Sequence, residues 1–441
     1  MSAYPYRVAI VGAGTSGLAA AVKLCSTKVS RSISVTIFES RREAGGRTRS
    51  FTDPETGDVL DNGQHLLMGC YTSTLEYLRT IGSEHLLLKQ NSLELPFVFP
   101  KEHRMSTLKL PAYLPVPLNL LAGLITSDLL HKYEKLAALR FGLGMMMFRY
   151  DRYMANASCA DLFTLAHQPV TLIEKLWKPI VVGTMNLPPE KASAQVFLHM
   201  MRLIFLQNKK YSSLLFPQVG LSDLLINPAL DFLNDHNCKI KYGQKILSVK
   251  QGNNLIYIET DDANNVFDAL IFAGSYQDVS VLPPEVVTAI PEVAYSPIVN
   301  AYFWIDKKIV GLPICGFIGT SIEWCFTKPT RYCAELLACT KSAADDLIKK
   351  DNEEITQLFW DDLKGSFPES DARLISSIVI KEKRATPLLN AELQVHRPKI
   401  ITAIPNLFLA GDLVQNGLPM TIEGSVKNGQ YAAQKVLRAI G

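Results

Sequence analysis

The sequence has no Cys-x-x-Cys pair, no cysteine–histidine spacing of the metal-binding kind, and no unbroken apolar run long enough to span a bilayer. Its eight cysteines are scattered at positions 25, 70, 159, 238, 315, 325, 333 and 339. That pattern excludes a disulfide scaffold and a structural zinc module, and it leaves free thiols in a reducing cytosol as the expectation. No metal site is expected. Charge of one sign is also missing: Lys+Arg 45 against Asp+Glu 42 gives +3, too small and too dispersed for a nucleic-acid-binding face. Hydrophobic residues at 48% and charged residues at 20% exclude a disordered chain. The start, Met1 to Arg7, shows neither the charged opening nor the cleavage site of a signal peptide. A cytoplasmic protein is therefore expected, and a pI near 8.3 leaves peripheral contact with the inner face of the cell membrane open. Leu110 to Ser127 is the most lipid-like stretch, uncharged but interrupted by Pro111, Pro115, Pro117 and Asn119, which favours a buried or interfacial segment over a spanning helix. Internal repeats and a Ser/His/Asp or Cys/His nucleophile spacing are absent as well.

What is present begins at once. At 441 residues the chain has room for about two to four domains. Arg7 to Val11 reads as a strand, Gly12 to Gly17 as a glycine turn, Leu18 to Cys25 as a helix, and Ser34 to Phe38 as a second strand ending at Glu39, which together make one βαβ unit. From about 66 to 211 the pattern turns helical. Short strands return at Lys239, Lys245, Leu255 and Val266, punctuated by Gly252-Asn253-Asn254 and Asp261-Asp262. Tyr302 to Trp304 and Glu323 to Phe326 read as strand cores, Glu353 to Phe367 as one amphipathic helix, and Asn406 to Ala410 as a last strand before a final helix near Thr421.

The spacing Gly12-x-Gly14-x-x-Gly17 between a Val/Ile strand and an Ala-rich helix suits close approach of backbone to a pyrophosphate at a helix N-terminus. Glu39, closing the next strand, is placed to hold ribose hydroxyls and disfavours a 2′-phosphate. Gly45-Gly46-Arg47 brings an arginine near the same diphosphate. Asp61-Asn62-Gly63-Gln64-His65 is either a capping turn or a polar site lining, and spacing does not choose between them. Gly411-Asp412, followed by Thr421-Ile422-Glu423-Gly424, could hold ribityl hydroxyls and aim a helix dipole at a flavin's pyrimidine ring. At the far end of a chain that opens with the glycine fingerprint, this favours FAD. Because only one dinucleotide fingerprint is present, electrons must come from the substrate or from a separate donor.

Taken together, Gly12 to Gly17, Glu39-Ser40-Arg41, Gly45-Gly46-Arg47, Ala410-Gly411-Asp412 and Glu423-Gly-Ser-Val426 resemble the flavin amine oxidase and phytoene desaturase superfamily. Longer strings, among them Leu60 to Gly69, Leu176-Trp-Lys-Pro179, Ala192 to Phe197, Glu382 to Thr386 and Leu418 to Gly424, resemble the hydroxysqualene dehydroxylases within it. The resemblance implies an α/β fold: a Rossmann-like FAD-binding domain with an inserted α+β substrate-binding domain. The expected boundaries are 1–89, 212–290 and 385–441 for the discontinuous FAD-binding domain. A helical, substrate- and membrane-facing insertion is expected at 90–211, and a substrate-domain sheet with a helix at 291–384.

The resemblance further implies non-covalent FAD and reductive removal of a hydroxyl from a long isoprenoid, hydroxysqualene giving squalene, in hopanoid or related triterpenoid synthesis. Cofactor contacts are expected at Gly12, Gly14, Thr15, Ser16 and Gly17, then at Glu39, Ser40, Arg41, Gly46 and Arg47. Gly63, Gln64, His65 and Leu66 should lie along the flavin, Ile246 near the adenine, and Gly411, Asp412, Thr421 and Ile422 at the far end. Gln64, His65 and Arg384 are the candidates for assisting departure of the hydroxyl. An apolar tunnel for the substrate is expected in the Leu/Met/Phe-rich 90–211 region. Other readings on the same scaffold are a carotenoid-type desaturase, an amine oxidase and a non-enzymatic prenyl-binding protein. Leu418-Pro419-Met420 in place of an aromatic cage weakens the amine reading, and the lack of cysteine beyond Cys339 argues against covalent flavin.

Overall fold

In a computed structural model of the protein, which describes residues 4–288, 290–412 and 414–440, the apolar run Tyr6–Val11 is the central strand of a five-stranded parallel sheet. Ile33–Glu39 and then Lys239–Tyr242 lie on one side of it, Ala269–Phe272 and Leu407–Leu409 on the other. The chain thus builds outward from Tyr6–Val11 in both directions, which creates a switch point beside its carboxyl end, where open α/β sheets bind ligands. Val8, Ile10, Ile37 and Ile271 pack one sheet face against the helices Thr15–Ser26 and Ile422–Ile440. These two helices meet closely: a Cβ at Gly429 would stand 2.1 Å from the Ser16 carbonyl oxygen. The opposite face packs on an antiparallel meander, Ile246–Gly252, Leu255–Thr260 and Asn264–Phe267, whose first turn uses Asn253 and Asn254 at φ 52° and 60°.

A seven-stranded sheet forms the second layer. Leu374–Pro387, Tyr295–Ile305, Glu335–Ser342, Trp324–Lys328 and Ile314–Phe317 follow one another in space, all antiparallel. The helix Asn352–Ser366 covers this sheet with Ile355, Phe359 and Leu363, the apolar face expected from its periodicity.

The sheet is completed by a hairpin, Glu94–Phe99 and Arg104–Lys109, which joins Ile314–Phe317 in parallel. This corrects the helical reading of 66–211 in that stretch. Arg104–Lys109 alternates exposed and buried positions, the period of a strand, whereas Pro96 and the unbroken Phe97-Val98-Phe99 run hid its partner. Helices do follow, at Leu118–Thr126, Lys132–Met146, Cys159–Leu165, Lys178–Met185 and Ala194–Arg202. Their interior is filled: Phe141 meets Trp177 with ring centroids 5.1 Å apart, and Phe163 meets Phe197 at 5.6 Å. Much of the region expected to form an apolar tunnel is a packed aromatic and Leu/Met core, because the same composition serves either purpose. Only nine residues of the Leu110 to Ser127 stretch are helical, and among the described residues no helix is long and apolar enough to cross a membrane.

Candidate active site

The glycine turn divides its work between folding and binding. Gly12 sits at φ +96°, and a Cβ on Gly17 would lie 1.9 Å from the Gly12 carbonyl oxygen, so both are demanded by the backbone itself. Gly14 differs: a Cβ there would meet nothing within 4 Å. The helix Thr15–Ser26 starts after Gly14 with no side-chain cap, and the buried Ser16 Oγ has no partner among the described residues. Uncapped helical N–H groups beside an unpartnered hydroxyl are the donor set a phosphate requires. Glu39 stands alongside, its Oε2 accepting the Ala13 N–H at 2.8 Å and its Oε1 the Arg41 N–H at 2.9 Å and the Ser40 hydroxyl at 3.4 Å, so Oε2 retains a lone pair for a ribose hydroxyl. Ser40 and Arg41 are exposed beside it. The Gln244 N–H donates to the Glu39 carbonyl at 3.0 Å, which brings Ile246, the buried first residue of its strand, to the same corner.

Two further segments converge on this point. Gly45 donates its N–H to the Ala13 carbonyl at 2.9 Å, and the Thr15 and Thr48 hydroxyls are 3.0 Å apart. Gly46 follows at φ +61°. The Arg47 guanidinium then pairs with Asp412, while its Nη1 donates to the Ala385 carbonyl at 2.9 Å. Burial alone would raise the Asp412 pKa. Arg47, the Ser425 hydroxyl 2.5 Å from Oδ1, and Arg397 outweigh that and hold the carboxyl below its ordinary value. Gly411 turns at φ +87°, its carbonyl accepting from Asn428 Nδ2 at 2.8 Å. Thr421 Oγ1 accepts the Gly424 N–H at 3.2 Å and so caps the last helix, which begins at Ile422.

Between these segments and the second layer runs the polar strip 61–66. Asp61 is buried and accepts from the Ser50 hydroxyl at 2.7 Å, the Leu221 N–H at 2.8 Å and Lys328 Nζ at 2.9 Å. The Tyr302 hydroxyl donates to the Asp61 carbonyl at 2.8 Å, accepts its N–H at 2.9 Å, and also bonds the Gln64 amide. Gln64, His65 and Leu66 border a cavity of about 410 Å³ whose other walls include Phe216, Phe326, Lys328 and Glu335. Gly63 directly precedes them on the strip. The His65 side chain is accessible from this cavity, and the protein packed around it, reinforced by Arg47 and Lys328 and opposed by Asp61, lowers its pKa from the ordinary value. Arg384 does not border this cavity. It is exposed on the Leu374–Pro387 strand and donates to Gln277 Oε1 at 2.7 Å, next to Ala385, because its strand runs along the rim.

A second, narrower space of about 30 Å³ lies at the other end of the strip, walled by Met68, Tyr71, Met200, Leu203, Ile204 and Leu418, with Thr421 and Glu423 at its edge. Glu423 is committed elsewhere: it accepts the Ser73 N–H at 3.0 Å and the Thr74 N–H at 2.8 Å, capping the helix Thr72–Thr80.

Sequence reasoning named Asp61 without its partners and missed Lys328, Tyr302 and the capping role of Glu423. A lysine closing the largely apolar Trp324–Lys328 strand, and a tyrosine inside the buried Tyr295–Ile305 strand, were the available signals.

Known proteins resemble this chain over nearly its whole length. Residues 15–437 match the family model for flavin containing amine oxidoreductase. The chain belongs to this family. A hydroxysqualene dehydroxylase of Sinorhizobium fredii is 30% identical over 448 residues, covering 98% of this chain and 99% of that protein. A 15-cis-phytoene desaturase of Synechococcus elongatus is 25% identical over 474 residues, covering 98% of this chain and 96% of its own. Among solved structures, a putative protoporphyrinogen oxidase from Exiguobacterium superposes with TM-score 0.69 at 15% identity, each chain covered completely, which establishes the shared fold. The protein is an FAD-dependent oxidoreductase of the flavin amine oxidase fold. The residues fit the cofactor: an open Gly14, an orphaned Ser16 hydroxyl and a carboxylate at each end, Glu39 and Asp412, form a donor and acceptor set matched to a diphosphate flanked by hydroxylated chains.

Proposed function

We propose that the protein is a hydroxysqualene dehydroxylase, removing the hydroxyl of hydroxysqualene reductively to give squalene in hopanoid or related triterpenoid synthesis. One observation carries this reading: the continuous segment 64–71 borders, through Gln64 and His65, a cavity of mixed lining whose polar groups include Lys328 and Glu335, and through Met68 and Tyr71 a hydrocarbon-lined one. A substrate bearing one hydroxyl on a long hydrocarbon needs both environments side by side. The 30% identity over nearly the full length to the dehydroxylase supports the same conclusion.

The bond between carbon and oxygen breaks, a bond between carbon and hydrogen forms, and the hydroxyl leaves as water with one proton drawn from solvent in the cavity. Reduced FAD supplies the hydride equivalent when bound, and a separate reductant restores it. Neutral His65 and the Gln64 amide, fixed by Tyr302, donate hydrogen bonds to the departing oxygen, and the larger cavity takes up the water. Arg384, on the rim, acts on this step only at a distance. Met68 and Met200 flank the narrow space, and a methionine, with three adaptable side-chain torsions, is the residue that yields most readily to an entering hydrocarbon chain. Each buried methylene of the substrate contributes about 0.8 kcal/mol. An amine substrate is disfavoured because the carboxylate nearest the narrow space, Glu423, is occupied by Ser73 and Thr74.

Incubating chemically reduced protein with hydroxysqualene without oxygen, then extracting into organic solvent, should yield squalene. Recovery of unchanged hydroxysqualene, together with desaturation of phytoene by the oxidised protein, would refute this function.

A further inference from the structure

The outer side of the helix Lys132–Met146 is apolar where a surface helix should be polar. Tyr133, Leu136 and Leu143 recur at helical spacing, the two leucines each 59% exposed, and Met147 at 77% and Phe148 at 63% carry the stripe past the helix end. The adjoining helix Leu118–Thr126 presents Leu118, Leu121 and Ile125 on its own exposed side. Lys135 Nζ donates to the Ile125 carbonyl at 2.7 Å and ties the two helices together. Single exposed apolar residues are ordinary; this number on two joined helices marks an interaction face.

The charges around it are mostly of one sign. Lys132, Arg140, Arg149 and Arg152 are exposed along the same segment. Of the acidic groups nearby, Glu134 is buried and faces Lys175 and Asp151 is paired with Arg202, which leaves Asp128, exposed and hydrogen-bonded by Ser106, as a single negative charge against the four. An apolar centre with a cationic margin is complementary to an anionic phospholipid surface, into which such a helix sinks its apolar side while its basic residues meet the headgroups.

We propose that this face docks on an anionic phospholipid bilayer. Its purpose rests on the isoprenoid reading above, since such a substrate dissolves in the bilayer core. Packed contacts join this face to the hydrocarbon-lined cavity. Arg202 donates to the Met145 carbonyl at 3.0 Å and lies over the Phe148 ring at 4.3 Å. Its helix, Ala194–Arg202, carries Met200 to the hydrocarbon-lined cavity, and Leu203 and Ile204 directly beyond it line the same wall.

Flotation of the FAD-loaded protein with vesicles tests this. Binding is expected to vesicles of phosphatidylcholine with an equal share of phosphatidylglycerol, and to weaken with pure phosphatidylcholine and with added salt. Leu143→Asp with Met147→Asp should abolish flotation while squalene formation from detergent-dispersed substrate persists. Arg140→Gln and Arg149→Gln should each lower partition to the anionic vesicles about fivefold. If the aspartate variant loses its flavin, the arginine variants decide by the same measure. No flotation, flotation unchanged in these variants, or a dimer in sedimentation that the aspartate variant dissociates would overturn the assignment, the last by showing a second copy on this face. Flotation without squalene formation would instead refute the function alone, and squalene formation without flotation the docking alone.

Discussion

Lys328 Nζ stands 2.9 Å from Asp61 Oδ2, with the aspartate side chain 2% and the lysine 12% exposed. This pair fastens the strand Trp324–Lys328 of the second layer to the strip that carries Gln64 and His65. Geometry at the proposed reaction centre is therefore set by two residues 267 positions apart.

Lys328→Met should leave a buried carboxylate without its cation. The expected cost is about 3 kcal/mol, near the low end for a broken buried pair because Ser50 and Leu221 still donate to Asp61. Urea denaturation reads it. Adding Asp61→Asn should recover part of the loss, as coupled neighbours do not add.

Gly14 and Gly17 should separate binding from folding. Gly14 has φ −75° and open space at its Cβ, so Gly14→Val should fold with a near-native melting temperature yet bind FAD poorly. Gly17→Ala drives a methyl into the Gly12 carbonyl and should destabilise the protein itself, by about 3 kcal/mol or more. Circular dichroism melting and flavin absorbance measured together distinguish the two.

Asp412 predicts a pH effect of definite sign. A carboxyl whose folded pKa is depressed stabilises the fold above its unfolded pKa, and that contribution disappears as pH falls through the folded value. The stability difference between the protein and Asp412→Asn should thus be greatest at neutral pH and shrink below about pH 4. A difference that grows on acidification would show that Arg47 does not dominate burial there.

Much of the nucleotide end was legible because its information is local: three glycines within six residues, a carboxylate closing the next strand, and Gly411-Asp412 before a helix are short patterns, each ambiguous alone, that point to one cofactor when they occur in the same chain. The Lys328–Asp61 and Tyr302–Gln64 contacts were not legible, since periodicity says nothing about which residues meet across layers. The Glu94–Phe99 strand was obscured by Pro96 and a continuous apolar run. Leu, Met and Phe content did not distinguish a tunnel from a core: Phe141, Phe163, Trp177 and Phe197 pack against one another in one part of the helical region, while Met200, Leu203 and Ile204 line a narrow space in another.

His65 should act as a neutral donor. With its pKa below the usual value near 6.5, its protonation should not shape the rate above that pH. His65→Gln, which keeps a donor, should retain most activity, while His65→Leu should lose about a hundredfold in kcat. A rate that rises with protonation of this ring would reassign it as a general acid.

The central claim is reduction of an allylic alcohol by protein-bound FAD, and single turnover without oxygen tests it most directly. Photoreduced protein mixed with hydroxysqualene in deuterated water should regain its yellow absorbance, forming one squalene per flavin oxidised and carrying one deuterium at the carbon that bore the hydroxyl. Flavin that stays bleached in the presence of hydroxysqualene, while the oxidised protein is bleached by phytoene, would contradict it.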